Sequence, residues 1–168
     1  WSLTIACRPK AEHDAEARAL LNNQLARQLQ TNQVTLQAEV ADMDALLRSA
    51  SLQLYAADHV RRKVDLPLVL LEGMARGVPV LTVDADPVRE LLLAGRRHDL
   101  TPGAAAPANP EAFARAAAAL CESPSLPALS AAAAALAARE FSLAAMVRCY
   151  GALHDALELR DERARRVH

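Results

Sequence analysis

The 168 residues fit one domain with room for a buried core, and 52% hydrophobic with 23% charged residues is the balance of a globular chain. Nineteen basic against 20 acidic residues leave a formal net charge of -1, which removes the electrostatic case for nucleic-acid binding. Three scattered cysteines (Cys7, Cys121, Cys149), with no CxxC and no Cys/His cluster at metal spacing, argue against a disulfide framework or a metal site and for a reducing, cytoplasmic setting.

Leu3 to Ala6 is a short apolar run and reads as a buried strand. Glu12 to Gln30 has helical periodicity, with Ala15, Ala19, Leu20, Leu25 and Leu29 near one face. Val34 to Leu36 is a second strand. Asp42 to Ser49 is a short helix with Asp42 as N-cap. Leu52 to Tyr55 is a third strand, and the charged stretch Ala56 to Leu66 is a loop. Pro67 to Arg76 is a helix opened by Pro67 and closed by Gly77. Pro79 to Val83 is a fourth strand, and Val88 to Leu93 a helix ended by Gly95. A strand is expected at Asp99 to Leu100, followed by the loop Thr101 to Pro110. From there the pattern is helical: Glu111 to Cys121, Leu126 to Ala138 and Ser142 to Leu159, all rich in alanine, the strongest helix former.

Strands alternating with helices imply crossover connections and a parallel sheet, and the continuously apolar strands imply helices on both faces. The predicted class is α/β, Rossmann-like, with a helical C-terminal tail. Ligands in such sheets bind beyond the carboxyl ends of the strands. The Arg160, Arg163, Arg165, Arg166 cluster is read as a solvated helix end, with weak peripheral contact at the inner face of the plasma membrane as the alternative.

The densest chemistry lies between Lys63 and Asp84. A polar loop feeds a helix whose N-terminus offers free amides and a partial positive charge to an anion such as a diphosphate. Glu72, one to two turns further in, can accept hydrogen bonds from two vicinal ribose hydroxyls, and Lys63 can reach the phosphates as a point charge. The ordinary reading is an amphipathic helix with Leu68, Leu71 and Ala75 in the core and an i,i+4 ion pair between Glu72 and Arg76 on another face. Asp84 and Asp86 form a D-A-D that is read as turn and cap residues.

LVLLEGMARGVPVLTVD resembles the "llEAMAxGxPVvatd" hallmark of group 1 (family 4-like) retaining glycosyltransferases of GT-B fold. The remaining segments fall into register: Leu3 to Pro9 resembles "LxIxGxGP", VTLQAEV resembles "VxFxGxV", ALLRSASLQLYA resembles "lyxxAdvfvxPS", and REFSLAAMVRCYGALHDAL resembles the closing "xxFSwexxxxxyxxlYxxl" helix. The resemblance implies that residues 1–168 are the nucleotide-sugar-binding half of a GT-B enzyme, incomplete at its N-terminal side, with 142–168 as closing helix and basic tail. The missing N-terminal acceptor domain and the "GRLxxxKG" segment would precede Trp1. It implies no cofactor and no metal. The substrate would be a UDP-, GDP- or ADP-sugar, and glycosyl transfer would proceed with retention, as in bacterial polysaccharide assembly.

By the same resemblance Glu72 is the second Glu of the family's Glu-x7-Glu motif and holds the ribose. The base would sit by Val40, and the sugar and phosphates by Lys63, Val64, Asp65, Leu66, Pro67 and Leu68. Three departures stand out. Val64 occupies the place of the first Glu, with Asp65 beside it as a substitute carboxylate, so Lys63 and Asp65 are the catalytic candidates. Pro67 replaces a glycine and removes one amide N–H. ACRPK replaces the Gly-rich turn after the first strand, leaving Arg8 and Lys10 to supply charge. These losses make a non-catalytic scaffold or partner subunit an alternative reading; the others are a nucleotide-sugar epimerase-type relative and a generic Rossmann-like module for another nucleotide, the last weakened by the absence of GxGxxG.

Overall fold

The structure is a computed structural model and describes residues 1–6, 12–57 and 67–166, without the side chains of 12–14 and 159–166. The chain forms two compact units, residues 1–46 and 47–168.

In the first unit, β1 (Leu3–Ala6) pairs in parallel with β2 (Val34–Gln37), in the register Leu3↔Val34 to Ala6↔Gln37. The connection is helical but not the single helix expected over 12–30. It is α1 (Glu12–Gln24) and α2 (Ala26–Gln30), divided at Leu25, whose φ of -103° and ψ of 11° leave the helical region. Asn22 and Asn23, weak helix formers, precede the break. α3 (Met43–Ser49) begins with Asp42 accepting from the Ala45 amide at 2.8 Å, the cap expected from the sequence.

In the second unit, β3 (Gln53–Tyr55), β4 (Val80–Val83) and β5 (Gly103–Ala106) form a parallel sheet in that order. α4 (Leu68–Ala75) and α5 (Arg89–Arg96) are the crossovers. α6 (Pro110–Cys121), α7 (Leu126–Glu140) and α8 (Leu143–Arg166) follow. Side chains alternate across a strand, so β4 feeds two cores. On one face Val80 packs with Leu70 and Met74 of α4, Val88 and Leu91 beside and within α5, and Ala133, Leu136 and Ala137 of α7. On the other, Leu81 and Val83 join Ala106 and Phe113, so α6 covers that side.

Two sequence expectations are corrected here. The fifth strand is Gly103–Ala106, not Asp99 to Leu100: Asp99 has a left-handed φ of 55° and turns the chain. GAAA has no β-branched residue, and its extended state comes from its ladder with β4 (Val80↔Gly103 to Val83↔Ala106) rather than from propensity. The helix α5 continues through Gly95, which is buried inside it, and ends at this Asp99 turn.

The stretch 126–158 has the length and hydropathy of a membrane-crossing segment. The structure divides it at 141–142 into α7, which buries Ala133, Leu136 and Ala137, and α8. On α8, Leu143, Met146, Val147, Tyr150, Leu153 and Leu157 are all half or more exposed and follow the i, i+3, i+4, i+7 spacing of a single stripe.

Two joints close the unit. At the end of α4 the amides of Gly77 and Val78 donate to the carbonyls of Met74 and Gly73, each at 2.9 Å, with Gly77 at φ 77°. This is the paired bonding of a Schellman motif, and it needs a residue that tolerates left-handed φ. Ser130 of α7 donates to the Gly77 carbonyl at 2.5 Å and ties the turn to the neighbouring helix. At the end of α5, His98 Nε2 lies 2.5 Å from a Glu140 carboxylate oxygen, with the Arg97 guanidinium 3.5 Å from the other. The His98 hydrogen bond above all, then the charges of His98 and Arg97, hold the Glu140 carboxyl below its ordinary value against the opposing effect of burial.

Gly77→Ala should cost about 1–2 kcal/mol in urea unfolding, because alanine must enter the left-handed region with its Cβ 3.0 Å from Ser130 Oγ. Equal midpoints for the two proteins would refute it. A carboxyl whose folded pKa is depressed stabilises fully above its unfolded pKa and loses that contribution as pH falls through the folded value. The stability gap between the parent and Glu140→Gln should therefore be widest above pH 4.5, the ordinary Glu140 value, and shrink below it. Urea midpoints measured on both sides of that pH test this, and a gap independent of pH would contradict it.

Candidate functional site

The site is built on α4. Pro67 occupies its N-cap in an extended conformation (φ -61°, ψ 119°), just outside the helix rather than in the first turn where the sequence placed it. Among the described residues no side chain caps this end. Uncapped first-turn amides retain donor capacity and a partial positive charge.

α4 is apolar nearly all round, so hydrophobic spacing alone cannot choose which face turns inward. The expected core set of Leu68, Leu71 and Ala75 is not what the fold buries. Leu70, Gly73 and Met74 are buried, Leu71 is half-buried, and Leu68 (72% exposed) and Ala75 face outward. Glu72 is exposed, one helical turn from the first residue of α4. The expected Glu72–Arg76 ion pair is also absent: Arg76 donates to the main-chain carbonyl of Glu72 at 2.6 Å instead. Among the described residues the Glu72 carboxylate enters no ion pair, which leaves both oxygens as acceptors.

Other predicted residues fall elsewhere. Val40 lies beyond the carboxyl end of β2 in the first unit and is half-buried. Arg8, Lys10, Lys63, Val64, Asp65 and Leu66 lie outside the described residues. Of the proposed contacts, the structure therefore places Leu68 and Glu72 on one helix, with Pro67 at its N-cap. Asp84 and Asp86 are not caps: α5 has Val88 at its N-cap with no side-chain bond. Both carboxylates instead face Arg89, at 2.9 and 3.7 Å. Arg89 also borders a groove of about 510 Å³ between α5 and the edge strand β5, together with Leu92, Arg96 and Ala105.

Two polar residues escaped the sequence reading. Thr82, in register with Tyr55 and Ala105 near the carboxyl end of the sheet, is fully buried, and its hydroxyl has no hydrogen-bond partner. Gln53, in β3, is buried and bonds to the main chain around α4. The available signal was a single polar residue inside each apolar strand, SLQLY and PVLTVD. Burial of such groups is costly unless they are bonded, so each marks a place where the fold uses polarity.

Comparison with known proteins accords with this geometry. No curated protein sequence matches the chain. A solved structure, the sucrose-phosphate synthase from Thermosynechococcus elongatus, superposes with a TM-score of 0.69 at 18% sequence identity. The match covers 94% of this chain and 38% of that one, so the chain spans well under half of its relative's length. At that identity the likeness establishes the fold: an α/β, Rossmann-like half of GT-B type with parallel strands and a helical C-terminal end. The model of the family "Glycosyl transferases group 1" matches residues 1–123. With nearly three quarters of its length matched, the chain belongs to the group 1 glycosyltransferases.

Proposed function

We propose that this chain is the donor-binding part of a retaining glycosyltransferase that moves a sugar from a nucleoside diphosphate to an acceptor held by a separate acceptor domain. The observation that carries the reading is Glu72: a solvent-facing carboxylate, one turn inside a helix, with neither an ion pair nor a side-chain cap at the helix N-terminus among the described residues. The two features suit two parts of one ligand. Vicinal ribose hydroxyls are donors and match carboxylate oxygens. A diphosphate matches the helix start.

Electrostatic stabilisation of the departing diphosphate by helix-start amides is the catalytic contribution this part would make, since charge builds on the leaving group as the glycosidic bond breaks. Lys63 and Asp65 are the side chains proposed to assist there. The base would lie by the main chain around Val40, with Arg8 and Lys10 adding positive charge. The chemistry needs no metal or cofactor in this reading.

The test is calorimetric titration with UDP, GDP and ADP. One of them should bind, and Glu72→Ala should weaken it by roughly tenfold to a hundredfold, the worth of hydrogen bonds to a charged group. Thermal melting should be unchanged because the side chain is exposed. Unchanged affinity in Glu72→Ala would remove the ribose assignment. Failure of the parent chain to bind any of the three would favour a non-catalytic scaffold.

A further inference from the structure

The helix that carries Glu72 packs one face against a buried carboxamide. Gln53 is 9% exposed, and its Nε2 lies 3.4 Å from the carbonyl of Leu70 and 3.3 Å from that of Val78. Both neighbours are acceptors, so the amide must present its NH2 end, which has two hydrogens to give. Leu70 lies in the first turn of α4, and Val78 in the link between α4 and β4. One side chain rooted in β3 therefore grips both ends of the α4 segment.

Gly73 lies between those two grips. A Cβ there would stand 2.1 Å from Gln53 Nε2, 2.3 Å from its Cδ and 2.5 Å from its Oε1. No side chain fits between helix and amide. A mid-helix glycine costs about 1 kcal/mol relative to alanine, so this contact accounts for a residue that helix propensity alone disfavours. Leu70 and Gly73 are three residues apart and share the inner face, while Glu72 precedes Gly73 by one residue and lies about 100° round the helix. If α4 rotated or slid, it would lose the bonds to Leu70 and Val78 and would bring helix backbone or side chains into the amide.

We propose that Gln53 is the positioning residue for Glu72: through the two carbonyls and the bare Gly73 surface it sets the rotation and register of α4, and so the direction in which the Glu72 carboxylate meets its ligand. This rests on the nucleotide-binding reading given above. A mere filler would behave differently, because leucine at 53 occupies similar volume and keeps the packing while removing only the donor from the Leu70 and Val78 carbonyls.

The experiment compares the full chain with Gln53→Leu, by calorimetry with UDP, GDP and ADP and by amide hydrogen exchange. With Gln53→Leu, nucleotide affinity should fall about tenfold. Exchange of the α4 amides should quicken while that of Leu81 and Val83 in β4 stays unchanged. In a Glu72→Ala background Gln53→Leu should cause a clearly smaller loss of affinity than in the parent, because much of its effect passes through Glu72. The pair Gly73→Ala with Gln53→Ala, which relieves the clash, should recover the melting temperature lost in Gly73→Ala alone but not the affinity. Gln53→Met replaces Gln53→Leu if the latter does not fold. Unchanged affinity in Gln53→Leu, a full additional loss in the Glu72→Ala background, or restored affinity in the relieved pair would each overturn the positioning role alone. Absence of binding by the parent chain would overturn the nucleotide reading, and the positioning role with it.

Discussion

A parallel strand between two others, with helices on both faces, has no surface left for water, and β4 lives under that constraint. Val80, Leu81, Thr82 and Val83 are all buried, with Val80 in one core and Leu81 and Val83 in the other. The rest of the second unit is arranged around it. α4, α5 and α7 exist as a layer because Val80 offers them an apolar floor, and α6 covers Leu81 and Val83 from below. The burial of Thr82 within this strand is the exception, a hydroxyl that the fold has taken from water without giving it a partner.

The same layer explains how an otherwise featureless helix is held in place as the proposed binding element. α4 is short, apolar and uncapped, and its inner face is selected by contact rather than by its own pattern. The Gln53 amide beneath Gly73 and the Gly77 turn fastened by Ser130 hold its inner face and its C-terminal end. Its N-terminus and Glu72 remain for a ligand. Packing and the proposed ligand contacts thus fall on different sides of one eight-residue helix. The carboxylate pair of Asp84 and Asp86 shows the opposite case: suggestive in sequence, it is committed to Arg89.

Part of the fold and site was legible from residue types alone. The order of strands and helices, the crossovers, the Asp42 cap and the Gly77 stop all follow from local rules, and the structure agrees with them. Glu72 was legible as the lone carboxylate in an apolar helix. The buried face of α4 was not legible, since LVLLEGMA presents apolar groups in nearly every direction. β5 was missed because glycine and alanine carry no strand signal, and the Asp99 turn because left-handed φ at aspartate leaves little trace in hydropathy.

By itself the sequence determined the α/β class, the family motif and the acidic residue placed behind a helix start, because periodicity and turn chemistry act over a few residues. Only tertiary structure decided which way that residue points. Rotation of α4 depends on a carboxamide 17 residues away from Leu70 and 25 from Val78 in the chain, and on a glycine that lets the two surfaces meet. Such contacts are set by packing across the sheet, where no local pattern records them.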